Sequence, residues 1–266
     1  MPVVRSAKRW LAPAVRTLAP RLFWRRRYGI LQRLGESRAD VALVRSLCDP
    51  DRVSLDIGAD VGEFAIAMLG ASRSVIAFEP RPEQARELAS MFGAVGAPVR
   101  IEAIALSDRS GSAAMRVLES EPGRSTIDSA NPLNDLDDST IDTVDVPLKR
   151  LDDLRLDNIG LVKVDVEGHE LAVLRGAVET LTRNRPAIVV EAEERHRPHA
   201  VTEITELLAG LGYAGFFETD GARRPIAEFD AALHQNPANI GGPETDWAPR
   251  GVYVNNFVFL PSETAL

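Results

Sequence analysis

The sequence predicts an α/β fold, a mostly parallel sheet with helices on both faces. Three observations carry this. Apolar runs at Val53–Ile57, Ser74–Phe78, Gly160–Val166 and Pro186–Glu191 read as strands buried on both sides. Amphipathic stretches separate them, the alternation that a covered parallel sheet demands. The first run ends in a glycine turn, Asp56-Ile57-Gly58-Ala59-Asp60-Val61-Gly62, that leads into a helical pattern. At 266 residues, with 45% hydrophobic and 26% charged residues, the chain has an ordinary globular composition and length enough for a sizeable core.

Taken in order, Asp40–Leu47 reads as a helix closed by Asp49-Pro50, and Val61–Leu69 as the helix behind the first strand. Pro82 opens a helix reaching Phe92, since proline at the first turn forgoes an N–H that has no partner there. Val99–Ile104 gives a third strand, Gly111–Leu118 a strand or hairpin edge, and Asp142–Leu148 another strand. Between the last two, residues 119–139 are rich in Asp, Ser, Asn and Pro without apolar period, so they read as a mobile loop. His169–Leu181 and Val201–Leu211 are amphipathic helices, Tyr213–Phe217 a strand, and Tyr253–Leu260 a final strand after a Gly/Pro-rich loop at 236–251.

Charge divides the chain. Residues 1–33 hold nine Lys or Arg and no acid, which leaves −17 on the rest of a chain whose net charge is −8. An acidic body lacks the basic face that nucleic acid requires. The basic leader interleaves Trp10, Leu11, Val15, Leu18, Leu22, Phe23 and Trp24 with arginines, and Pro13 and Pro20 interrupt it. It is neither a membrane span nor a secretory signal. It suits contact with an anionic membrane surface, or packing on the domain or on a second subunit. Residues 1–36 are therefore set apart as a helical extension, with the main domain at 37–266. The single cysteine, Cys48, follows the apolar pattern of Val41, Val44 and Leu47 and reads as a packing residue; one thiol implies a reducing, cytoplasmic setting.

Ligands of such sheets bind beyond the carboxyl ends of the strands. The Gly58 turn and Glu79, which ends the second strand 21 residues later, form a nucleoside cradle with the carboxylate on the ribose hydroxyls. A dinucleotide turn places a glycine where the backbone approaches pyrophosphate; Asp60 stands there instead. A ligand with a cationic end, such as S-adenosylmethionine, fits this turn better than NAD. The second signal is Lys163-Val164-Asp165-Val166-Glu167-Gly168-His169-Glu170, four ionisable groups beyond a buried strand. One of the two glutamates suits the N-terminus of the following helix. Asp165, at the strand end, faces the crevice.

Together with Phe78-Glu79-Pro80, Ala105-Leu106-Ser107-Asp108, Val173-Leu174-Arg175-Gly176-Ala177 and Ile188-Val189-Val190-Glu191, these segments resemble the FkbM family of S-adenosylmethionine-dependent methyltransferases, in order from Val53 to Leu260. The K-x-D-x-E-G-x-E block with its L-x-G-A tail is the specific part. Asp60 departs from the family's usual asparagine. The resemblance implies a class I methyltransferase (Rossmann-like) sheet of seven strands, the last antiparallel. It implies O-methylation of a hydroxyl on a sugar, an oligo- or polysaccharide, or a related natural product. By position, Asp56, Gly58, Asp60 and Gly62 would line the methionine part of the cofactor, Glu79 the ribose, Ala105 the adenine, and Asp165 the methyl group.

A hydroxyl is a weak nucleophile at neutral pH, so a base in hydrogen-bond reach adds roughly 10²–10⁴-fold. Asp165, Glu167, His169 and Glu191 are the candidates. Alternatively a divalent ion such as Mg²⁺, held by Asp165 and Glu191, lowers the hydroxyl's pKa. His196 and His199 follow Glu191 closely and read either as substrate contacts or as solvated loop residues. Gly123-Arg124-Ser125-Thr126 suits a cap over the cofactor, with Ser125 as a contact, and Trp247 a sugar-stacking ring. Two other classes share parts of this pattern. A Rossmann dehydrogenase would keep the sheet and Glu79, and a non-catalytic nucleoside-binding module would keep the turn without the crevice acids.

Overall fold

Val53–Ile57 (β1) lies inside the sheet: four of its five residues are buried and both edges pair in parallel, with Ser74–Phe78 (β2) on one side and Ile159–Val164 (β7) on the other. The structure, a computed structural model, describes residues 16–118, 122–129, 131, 133, 141–219, 221–241 and 249–263. Val99–Glu102 (β3), Ala105–Leu106 (β4), Gly111–Leu118 (β5) and Ile141–Lys149 (β6) separate β2 from β7; Ala187–Glu191 (β8), Tyr213–Thr219 (β9), Ala222–Pro225 (β10) and Asn256–Pro261 (β11) follow it. The main sheet runs β10-β9-β11-β8-β7-β1-β2-β3. β11 is antiparallel to both neighbours, as expected of the last strand.

Three details differ from the sequence reading. The main sheet has eight strands rather than seven, because β10 folds back on β9 as an exposed antiparallel edge. The run expected as one strand to Ile104 breaks after Glu102, and Ala105–Leu106 leaves to join β6 and β5 in a separate three-stranded sheet. The helix expected over His169–Leu181 is two, Glu170–Arg175 (α5) and Val178–Asn184 (α6). The break has a steric cause. Gly176 lies so close to Ser107 that a Cβ on it would stand 1.9 Å from the Ser107 carbonyl oxygen. The glycine of the L-x-G-A tail thus lets the helix corner touch the chain leaving β4.

Helices cover both faces. Pro20–Gly35 (α1), Ala39–Ser46 (α2), Glu63–Met68 (α3) and Pro82–Val95 (α4) enclose one core with Phe64, Met68, Leu88, Met91 and Phe92, and Trp24 of α1 is buried in it. The described part of the basic extension therefore packs against the sheet along one face of α1. Its other face exposes Leu22, Ile30 and Leu34 beside arginines. No helix among the described residues is long and apolar enough to cross a membrane. The opposite core combines Leu55, Ile57, Val162, Val164 and Ile188 with α5, α6 and Ala200–Gly210 (α7). Ala231–His234 (α8) completes the helices. Cys48 is half-buried against the first core, as a packing residue should be.

The steric argument at Gly176 is testable. Gly176→Ala should destabilise the protein by about 1–3 kcal/mol in urea unfolding, because backbone must move to admit the methyl. Gly210→Ala, where nothing lies within 4 Å, should be neutral or stabilising. Equal effects of the two substitutions would remove the explanation for the helix break.

Candidate active site

Beyond the carboxyl ends of β1, β2 and β7 lies a cleft of about 700 Å³, its open mouth included. Gly58 makes it possible. At φ +84°, a Cβ there would stand 1.8 Å from the Asp165 carbonyl oxygen, so only a glycine lets the β1 turn lie against the end of β7. The two motifs read separately in the sequence therefore share one wall. Gly58, Asp60, Glu79, Ala105, Ser125, Asp165, Glu167 and His169 all line the cleft. Asp56 and Gly62 do not. Asp56 is fully buried below the turn, and Gly62 faces Leu88, Met91 and Phe92 of α4. Neither residue thus reaches the cleft in this structure, where contact with the methionine part was expected.

Glu79 is 2% exposed, and its carboxylate is fully engaged. Oε1 accepts from the Arg81 backbone N–H at 3.0 Å and from Arg81 Nε at 2.8 Å. Oε2 accepts from the Asp60 backbone N–H at 2.9 Å and from Arg81 Nη2 at 3.2 Å. A carboxylate offers about four lone-pair directions, and here four donors take them. The expected acceptance of ribose hydroxyls therefore requires the Arg81 fork to shift. Arg81 also binds Asp60, Nη2 to Oδ1 at 2.6 Å, which supplies the countercharge for the residue that departs from the family pattern. Its two acidic partners hold the guanidinium more firmly protonated than usual, against the desolvation of its site.

Lys163 is the other residue to which the sequence reading gave no role. It is 1% exposed near the carboxyl end of β7, opposite Asp56 in register. Its ammonium stands 2.9 Å from Asp165 Oδ2 and 3.9 Å from Asp56 Oδ1, and 3.9 Å over the Phe64 ring. Burial raises the Asp56 carboxyl to about 6 despite the lysine. Glu191 is likewise pushed well above the ordinary range, by burial and by Asp165. It does not line the cleft; it opens on a neighbouring cavity. Since Val164 pairs with Val190, the next step of the register brings Asp165 beside Glu191. The pair expected to hold Mg²⁺ is thus served by a lysine ammonium. Among the described residues no three His, Cys, Asp or Glu side chains form a group that could hold a metal ion.

The turn after β7 folds through Glu167 at φ +53°. Thr126 Oγ1 and Asn131 Nδ2 both donate to its carbonyl at 2.8 Å, so the Gly123–Thr126 segment docks on this turn. Burial raises the Glu167 carboxyl well above its usual range, helped by Asp165 and Glu193. His196 Nδ1 lies 3.3 Å from Glu167 Oε2, and burial, then Arg195, hold that imidazole down to about 4. His169 is lowered by burial, and its Nε2 lies 2.9 Å from Ser107 Oγ. His199 is exposed before α7, and Trp247 lies outside the described residues. Glu170 is the glutamate that serves the helix start, accepting from the Gly168 N–H at 2.8 Å.

Burial raises Glu170 to about 7. Its folded form holds a proton that the unfolded chain releases near 4.5, so this residue lowers stability as pH rises from about 4.5 through 7. At about 1.4 kcal/mol per tenfold change in proton affinity, the loss is roughly 3 kcal/mol at most. Glu170→Gln removes it. Urea unfolding should show the wild type losing ground to Glu170→Gln across that window; parallel profiles would refute the burial argument.

Comparison with known proteins fits this geometry. A family model described as the methyltransferase FkbM domain matches residues 56–215. The 2-O-methyltransferase NoeI of Sinorhizobium fredii (strain NBRC 101917 / NGR234) is 31% identical over 157 residues, spanning 54% of this chain and 64% of the relative, less than two thirds of its length. The crystal structure of methyltransferase FkbM from Methylobacillus flagellatus KT matches at TM-score 0.50 and 15% identity, over 79% of this chain and 44% of that one, and shows the same fold. The matched segment runs from the glycine turn past the Lys163–Glu170 block, and the chain belongs to the FkbM methyltransferase family.

Proposed function

We propose that the protein methylates a hydroxyl of a saccharide or related natural product, using S-adenosylmethionine. The observation that carries this reading is the single cleft in which the Gly58 turn and Glu79 meet Asp165, Glu167 and His169. The relative named as a 2-O-methyltransferase supports an oxygen acceptor. When bound, S-adenosylmethionine supplies a methyl group already activated for transfer. Its cationic end suits the acid-rich wall of Asp60 and Asp165, and its ribose suits Glu79 once Arg81 swings aside.

The chain's own residues then have two tasks. Asp165, fixed by Lys163, orients the acceptor hydroxyl, and holding it in line contributes several kcal/mol of the barrier. Glu167 takes the hydroxyl proton. A carboxylate whose affinity for protons is raised by burial is a stronger base than an ordinary one. His169, whose affinity for a proton burial lowers, hydrogen-bonds Ser107 at the cleft wall.

Calorimetry with S-adenosylhomocysteine, against NADH as control, tests the cofactor. Glu79→Gln should weaken S-adenosylhomocysteine about tenfold or more, the worth of a charge-assisted hydrogen bond. Transfer of labelled methyl from S-adenosylmethionine to a saccharide panel, with and without EDTA, tests the chemistry. Glu167→Gln should lower kcat by roughly 10²–10⁴-fold while leaving S-adenosylhomocysteine affinity in place. NADH binding without S-adenosylhomocysteine binding, or full activity in Glu167→Gln, would overturn the respective assignment.

A further inference from the structure

The second cavity, about 1940 Å³ with its mouth, opens one strand away from Asp165. It lies along a continuous polar row. The pleat puts Asp56, Lys163, Asp165 and Glu191 on one side of the sheet, and Asn256 stands opposite Glu191 in register. Asp165 lines the cleft, whereas Glu191 and Asn256 line the cavity, so the row leads from one into the other. A group-transfer site needs room for two molecules whose reacting atoms meet, and this row is where they would.

We propose that this cavity is the acceptor site and that it takes a neutral, polyhydroxylated ring. The inference rests on the methyltransferase reading above. Its lining alternates hydrogen-bonding groups with apolar surface: Arg38, Glu191, Asn255 and Asn256 beside Leu34 and Leu43. That mixture matches the polar edges and apolar faces of a pyranose. Asn255 Nδ2 donates to Glu191 Oε1 at 2.6 Å, which fixes the carboxyl at the cavity's inner end. Arg38 is already paired with Asp40 and Glu63, so its charge is spent within the protein. Phosphorylated or carboxylated acceptors meet an acidic wall with no surplus cation, which disfavours them.

The test is ligand-observed saturation-transfer NMR on the full chain saturated with S-adenosylhomocysteine. The probes are the neutral methyl glycosides of glucose, galactose and mannose, against methyl glucuronide and glucose 6-phosphate. Ser37→Trp, at an exposed mouth position, and Asn256→Leu, at the inner wall, block the cavity from two sides. The expected result is transfer to at least one neutral glycoside, weakened about tenfold or more in both variants, with S-adenosylhomocysteine affinity unchanged. Unaffected binding in both variants, preference for the anionic probes, or no glycoside binding by a wild type that holds S-adenosylhomocysteine would overturn the proposal alone. Failure of the wild type to bind S-adenosylhomocysteine would instead overturn the methyltransferase reading beneath it.

Discussion

A buried ammonium organises this site. Lys163 sits near the end of an apolar strand, out of water, where a lone charge carries a penalty of several kcal/mol. It is tolerable there because Asp165 is in contact and Asp56 and the Phe64 ring are close by. The dependence runs the other way as well. Three carboxyl groups, those of Asp56, Asp165 and Glu191, gather at the sheet's carboxyl edge, and without a cation they would repel one another. Even with it, Asp56 and Glu191 are displaced toward their neutral forms, so the lysine compensates about one full charge and burial suppresses much of the rest.

Two backbone contacts complete the frame. Gly58 against Asp165 closes the turn of β1 onto the end of β7, and Gly176 against Ser107 seats the following helices on the chain that leaves β4. Between them they bring three segments, far apart in sequence, within reach of a single bound molecule. Arg81 does the same electrostatically. It ties Asp60, which comes from the glycine turn, to Glu79 at the end of β2. In this conformation the arginine occupies the carboxylate that a ribose would use, which makes its displacement part of cofactor entry in the proposed reaction.

The parallel core strands and the crossing helices were legible because each has a strong periodic or apolar pattern and a recognisable stop, as Val53–Ile57 and Pro82–Val95 show. The glycine turn and the K-x-D-x-E-G-x-E block were legible as sites for the same reason that they are costly elsewhere: charge and glycine next to buried strands. What stayed hidden depended on tertiary packing. Nothing local distinguishes the break at Gly176 from a helix-interior glycine until Ser107 arrives beside it. Arg81 carries no sequence signal after Glu79-Pro80, yet it is 9% exposed and forks onto two acids. Lys163 carried a readable signal, a cation inside an apolar strand, but its partners come from β1 and from the strand's own end. Glu191 reads as a cleft residue because strand ends converge in this fold; it shares a face with Asp165 but ends the next strand, where it lines the neighbouring cavity instead.

The most direct test of the central claim is the unfolding free energy of Lys163→Met as a function of pH. The substitution keeps the bulk of the side chain and removes the charge. At pH 7 the variant should lose about 3–5 kcal/mol relative to the wild type, the usual consequence of stripping one partner from a buried ion pair. That deficit should shrink toward pH 5, because Asp56 and Glu191, whose folded-state proton affinities burial raises, become neutral as pH falls. A variant within about 1 kcal/mol of the wild type at pH 7 would show that Lys163 is not what holds the acidic edge together.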